Sequence, residues 1–95
     1  MVGRRSRRLE IVNAELLQDR LVRLEFSDGT TGDYDLQPLI ARGTEMVSPL
    51  ESDLFFQQFL LDLGALCWPN GFELSGGIQR RLREQGKLRP LDRVA

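Results

Sequence analysis

Asp33 and Asp35 stand two apart in an alternating stretch, so on a strand both carboxylates leave the same face. Such a pair can help hold a hard divalent cation or divide into proton donor and proton acceptor. No further ligand accompanies them, and a solvated sheet face accounts for the same spacing. The chain has no His, which removes the commonest general base near neutral pH and the commonest zinc ligand, together with Ser-His and Cys-His nucleophile pairs. Cys67 is the only cysteine, so no intrachain disulfide can form, and beside Trp68 in an apolar run its thiol reads as a small core hydrophobe. No catalytic residue, cofactor site or metal site is expected, and the chain reads as non-enzymatic.

Binding chemistry is better represented. Trp68 is either a core residue whose indole N–H finds a partner near the turn that follows, or an exposed anchor for another protein with Asn70 beside it. Arg80, Arg81 and Arg83 crowd one short segment. Just before them, Leu74-Ser75-Gly76-Gly77-Ile78-Gln79 looks like the signature motif of ATP-binding-cassette ATPases. Ile78 interrupts it, however, and no Gly-x-x-x-x-Gly-Lys-Ser/Thr phosphate loop occurs in the chain. What survives is a helix start with two glycines, whose backbone N–H groups can face an anion.

A formal net charge of −1 conceals a segregated field. Residues 1–8 carry Arg4, Arg5, Arg7 and Arg8 and no acid, for +4; residues 9–75 carry twelve acids against three arginines, for −9; residues 76–95 carry six bases against two acids, for +4. An acidic body between two basic ends governs which partners arrive and how fast, not the fold.

The elements that position these residues follow from periodicity. Leu9–Leu17 alternates with a slip at Val12-Asn13, which predicts a strand with a bulge. Arg20–Phe26 alternates cleanly, placing Val22, Leu24 and Phe26 on one face, and Gln18-Asp19 is the expected two-residue turn between the two strands. Ser27-Asp28-Gly29-Thr30 is a stronger turn and leads into a third strand, Thr31–Leu36, with Tyr34 and Leu36 inward. Asp35 suits the cap of a short helical turn that tolerates Pro38 and ends at Gly43. Met46–Leu50 reads as a brief strand, and Ser52 or Asp53 caps a helix through Gln58 that points Leu54, Phe55 and Phe59 inward. Leu60–Leu63 and Ala65–Trp68 read as short strands joined near Gly64, apolar enough for a central position. After the Pro69-Asn70-Gly71 turn, Ser75 is the expected cap of a basic amphipathic helix whose inner face is Ile78, Leu82 and Gln85 and which stops at Gly86.

The expected architecture is one α+β domain over residues 9–86, an antiparallel meander of three N-terminal strands plus two short strands packed with short helices and the basic C-terminal helix. Residues 1–8 form a basic arm and residues 87–95 a tail, with Leu88 and Leu91 as its docking residues. No apolar run approaches the roughly 20 residues needed to cross a bilayer, and no signal peptide is recognised, so a cytoplasmic location without membrane contact is expected.

The order Phe26-Ser27-Asp28-Gly29-Thr30, Tyr34-Asp35-Leu36-Gln37-Pro38-Leu39-Ile40, Pro49-Leu50, and Leu66-Cys67-Trp68-Pro69-Asn70-Gly71-Phe72-Glu73-Leu74 resembles the small bacterial family catalogued as domain of unknown function 2442 (DUF2442). Members share a Phe-x-Asp-Gly turn, an Asp-Leu-x-Pro-Leu segment and a Trp-Pro-Asn-Gly-x-Asp-Leu close. The resemblance covers about residues 9–75. Glu73 stands where Asp is usual, and Ser75-Gly76-Gly77-Ile78 replaces a Pro- and Glu-containing helix start. The resemblance implies a small α+β domain without established catalytic activity. Some relatives carry a helix-turn-helix domain after this one, for which too little chain follows Leu74, and others look like partners of small toxin-like proteins encoded beside them.

Three functions fit this reading. The first is a protein-interaction module, antitoxin-like or regulatory, whose acidic body binds a small basic protein. The second is a nucleic-acid-binding accessory protein using Arg4–Arg8 and Arg80, Arg81 and Arg83. The third is a homo-oligomer in which the basic helix of one chain docks on the acidic sheet of another. Candidate interaction residues are Trp68, Asn70, Asp33, Asp35, Arg80, Arg81 and Arg83.

Overall fold

Alternation builds the first sheet. In the computed structural model, which describes residues 9–90, β1 (Ile11–Gln18), β2 (Leu21–Phe26) and β3 (Thr30–Asp35) form an antiparallel meander. Val22, Leu24 and Phe26 enter the core and Arg23 faces outward, as the period of two requires. The register shifts between Ile11 and Asn13, where the sequence slips. The first turn lies one residue later than expected: Gln18 still pairs with Leu21, so Asp19-Arg20 is the loop, and Asp19 takes a φ of 45°, which its short polar side chain tolerates. In the second turn Gly29 has a φ of 87°, and the Asp28 carboxylate accepts from the Thr30 N–H at 3.1 Å and hydroxyl at 2.7 Å.

One-turn helices then cover an edge of the core. α1 (Gln37–Ile40) begins under the Asp35 carboxylate, which accepts from the Gln37 N–H at 2.9 Å, and Gly43 follows it with a φ of 73°. Met46–Leu50 forms no strand. Ser48–Glu51 is a 3₁₀ turn, because Pro49 lacks the N–H a ladder needs while its fixed φ suits a first helical turn. α2 (Asp53–Phe56) is capped by Ser52, as expected, but is shorter than expected and turned differently: Phe56 is fully buried, Phe55 and Phe59 are half-buried, and Leu54 faces out. The inward face is selected by Trp68 and Arg20, whose indole and guanidinium both lie over the Phe56 ring.

A second sheet holds β4 (Leu60–Asp62), β5 (Ala65–Cys67) and β6 (Glu73–Leu74), in that order. β5 is central, as its apolar density suggested, but β4 is an edge strand with every residue exposed. The helix α3 (Ile78–Glu84) starts at Gly77, and Ser75 contributes its carbonyl rather than its hydroxyl to the first turn. Leu82 is buried, yet Gln79, not Gln85, joins it inside. Gly86, φ 71°, closes the helix. Residues 87–90, expected in the tail, return to the first sheet: Leu88 packs on the core and β7 (Arg89–Pro90) pairs with Thr30 and Thr31. Their sequence carries no strand signal because backbone groups alone make the pairing. The arm 1–8 and Leu91 lie outside the described residues.

Both sheets share one core, in which Ile11 and Phe26 meet Leu66, Trp68 and Leu74. Two glycines permit close approaches within this core. A Cβ at Gly76 would lie 2.0 Å from the Leu9 carbonyl oxygen, and one at Gly32 would lie 3.0 Å from the Leu82 side chain.

Candidate functional site

The residues nominated from sequence do not assemble into one site. Trp68 is 3 % exposed, its indole N–H donates to the Phe56 carbonyl at 3.0 Å, and its ring is flanked by Phe56, Phe59 and Phe72 at centroid distances of 5.6–5.9 Å. It closes the core and is no exposed anchor. Asn70 holds the turn, donating to the Met46 carbonyl at 3.0 Å and accepting from the Phe72 N–H at 3.2 Å. Asp33 and Asp35 do leave the same strand face but are engaged locally: Arg23 clamps Asp33 with two bonds of 2.8 and 3.2 Å, and Asp35, one residue before the N-cap Leu36, accepts from the Gln37 N–H at the start of α1. The hydrogen bond from Arg23 holds the Asp33 carboxyl below its usual range against the opposing effect of burial, with further help from the charges of Arg23, Arg89 and Lys87. Arg80, Arg81 and Arg83 are exposed on α3, and Arg83 also donates to the Gln79 side chain at 3.0 Å. Among the described residues no group of three His, Cys, Asp or Glu side chains could hold a metal ion.

Sequence reasoning missed two polar ties. Gln79, 5 % exposed, donates to Asp28 at 2.9 Å and to the Thr30 hydroxyl at 2.8 Å, pinning α3 to the β2–β3 turn. Burial works to raise the Asp28 carboxyl, but the hydrogen bonds from Thr30 and Gln79 outweigh it and leave Asp28 below its ordinary value. Arg20 donates to the carbonyls of Leu50, at 2.8 Å, and Glu51, and pairs with Asp53 at 2.8 Å, fastening the 3₁₀ turn and α2 to the meander. Both ties position elements of the fold.

The surface that folding leaves unexplained lies on the β4–β5 hairpin. Leu60 is 60 %, Leu61 37 % and Leu63 87 % exposed, and Leu54 nearby in sequence is 76 % exposed. The apolar positions counted as core in the sequence therefore divide between core and surface. Beside the hairpin runs a groove of about 590 Å³ between Leu9-Glu10, the Asp62–Ala65 turn and the Glu73–Gly77 segment. Its floor includes Ala65 and Cys67, its charged lining is Glu10, Asp62 and Glu73, and none of the described residues lining it is basic. None of these three carboxylates has an ion-pair partner among the described residues. Their field is felt at Cys67: burial first, then the charges of Glu73 and Asp62, pushes its thiol up and away from the reactive thiolate. The arrangement can bind a cationic, partly apolar surface.

Over residues 11–76 the chain matches the family described as Protein of unknown function (DUF2442), and it belongs to that family. The matched span includes the exposed hairpin and the groove's Asp62 and Glu73 and, by one residue, excludes Glu10; α3 and β7 lie beyond it. No curated protein and no solved structure matches the chain.

Proposed function

We propose that this member of the DUF2442 family is a non-enzymatic protein-interaction module whose partner is a small basic protein, in the manner of the antitoxin-like or regulatory member of a pair. The observation that carries this reading is the exposure of Leu60 and Leu61 on β4 and of Leu63 in the hairpin turn, with Leu54 of α2 exposed as well. Edge strands in monomeric proteins are kept short, charged or covered to prevent association, whereas this one, although short, presents Leu60 and Leu61 to solvent. Apolar anchors of this kind supply most of an interface's affinity. The acidic body, −9 over residues 9–75, would select a basic partner and speed its arrival. Co-purification from the native host at low salt tests it. A basic protein should be recovered with the natural chain and lost with Leu54→Ser/Leu60→Ser, which keeps its fold because both side chains are exposed. Recovery of no partner, or equal recovery with the variant, refutes the reading.

A second reading, nucleic-acid binding, draws on Arg80 and Arg81, which are exposed and without ion-pair partners among the described residues. Phosphate binding by these groups would weaken steeply with salt. A low-salt gel shift with duplex and single-stranded DNA decides it: retardation abolished by Arg80→Gln/Arg81→Gln supports this reading, and no retardation eliminates it.

A further inference from the structure

Leu63 occupies a backbone conformation that its side chain disfavours. The two-residue loop Leu63-Gly64 closes the β4–β5 hairpin between the paired residues Asp62 and Ala65, and both loop residues have positive φ, 51° and 80°. This is the geometry of the primed turns that suit hairpin twist, for which Asn-Gly, Asp-Gly and Gly-Gly are the favoured pairs. Gly64 meets the requirement, but a branched apolar residue in the left-handed region is an outlier. Burial could offset that strain, yet Leu63 is the most exposed of the large apolar side chains described. Strain held at an exposed position points to a use outside the fold.

The surroundings name the chemistry of what covers it. A Cβ at Gly64 would fall 2.6 Å from the Glu10 side chain, so glycine there lets Glu10 lie directly against the turn. Glu10, Asp62 and Glu73 thus line the groove beside the leucine. We infer that the hairpin tip is a binding anchor: Leu63 enters an apolar pocket on a protein partner, and Lys or Arg side chains rimming that pocket enter the groove beside Glu10, Asp62 and Glu73. The inference rests on the interaction-module reading and adds the contact and the partner's chemistry. A second copy docking through the same tip would set these carboxylates against their own copies, and nucleic acid would set them against phosphates. A cationic protein surface meets both features of the tip.

A photo-crosslinking residue placed in turn at 54, 60 and 63 of the full chain, in the native host, tests this, together with thermal melting and capture by Leu63→Asn. The inference expects an adduct from position 63 to a basic protein that high salt abolishes. It also expects Leu63→Asn to melt a few degrees higher, since Asn accepts the turn geometry, and to capture that protein at least about tenfold more weakly, as loss of an interface anchor should. An adduct from 63 to a second copy or to nucleic acid overturns it, as does a lower melting temperature or undiminished capture for Leu63→Asn. Adducts from 54 or 60 without one from 63 overturn the tip anchor and leave the interaction module standing. No adduct from any of the three positions removes both.

Discussion

Gln79→Ala probes the tie between α3 and the β2–β3 turn. The side chain makes three hydrogen bonds, at 2.9 Å to Asp28, 2.8 Å to Thr30 and 3.0 Å from Arg83, while itself almost fully buried. A neutral hydrogen bond contributes about 0.5–1.5 kcal/mol and one to a charged group about 1.5–3 kcal/mol. Asp28 and Arg83 are exposed, so their bonds belong at or below the low end of the charged range, and alanine returns a little helix propensity. The net loss is about 2–3 kcal/mol, or roughly 10–20 °C in melting temperature for a domain of this size. Urea titration followed by the fluorescence of Trp68, the only tryptophan, measures it. Asp28→Ala alone, and the double variant, complete a cycle whose coupling should exceed about 0.5 kcal/mol, because the two side chains are in direct contact. A loss below about 0.5 kcal/mol for Gln79→Ala, or strict additivity with Asp28→Ala, would refute the claim that this amide aims the helix.

Trp68→Ala should cost about 3–5 kcal/mol, measured by thermal or urea unfolding followed by circular dichroism, because it empties the space between three aromatic rings and orphans the Phe56 carbonyl. Gly76→Ala should cost about 1–3 kcal/mol or more by the same assay, since its methyl would be driven into the Leu9 carbonyl and the backbone must move. By contrast, Gly43→Ala meets open space and should lose only about 1 kcal/mol to its positive φ. Acid should destabilise the fold through Asp28 and Asp33. Both carboxyls sit below their ordinary value of 3.8 in the folded chain, so the unfolded chain binds more protons. Their contribution is present above that value and disappears as pH falls through the folded pKa values. Asp28→Asn/Asp33→Asn should flatten the acid limb of the stability profile, and an unchanged limb would contradict the assignment.

The meander was legible because its signal is local. Period-two alternation in Arg20–Phe26 and a single Asp-Gly turn specify which side chains go in and where the chain reverses. The Pro69-Asn70-Gly71 turn was legible for a related reason, since Pro, Asn and Gly each restrict the backbone where they stand, while Trp68 itself was left open between core and anchor until its burial decided it. Three features were not legible. Gln79 is a polar residue at a buried helix position, and what permits it, Asp28, lies 51 residues earlier, beyond the reach of any periodicity. Arg89-Pro90 joins the sheet by backbone pairing and carries no apolar pattern. Leu54, Leu60 and Leu63 read as core because composition does not distinguish an apolar residue facing a core from one facing solvent. The distinction needs the strand order, which makes β4 an edge. For the same reason the candidate site was sought at the rare residues, Trp68 and Asn70, which proved structural, while ordinary leucines carry the exposed surface.

Hydrogen exchange on the full chain, with and without the basic protein recovered from the native host, addresses the interaction surface most directly. Binding at the leucine hairpin predicts that amides of residues 60–66 slow on complex formation while those of α3, residues 78–84, keep their free rates. Protection confined to α3, with the hairpin unchanged, would contradict the account and move the interface to the arginines.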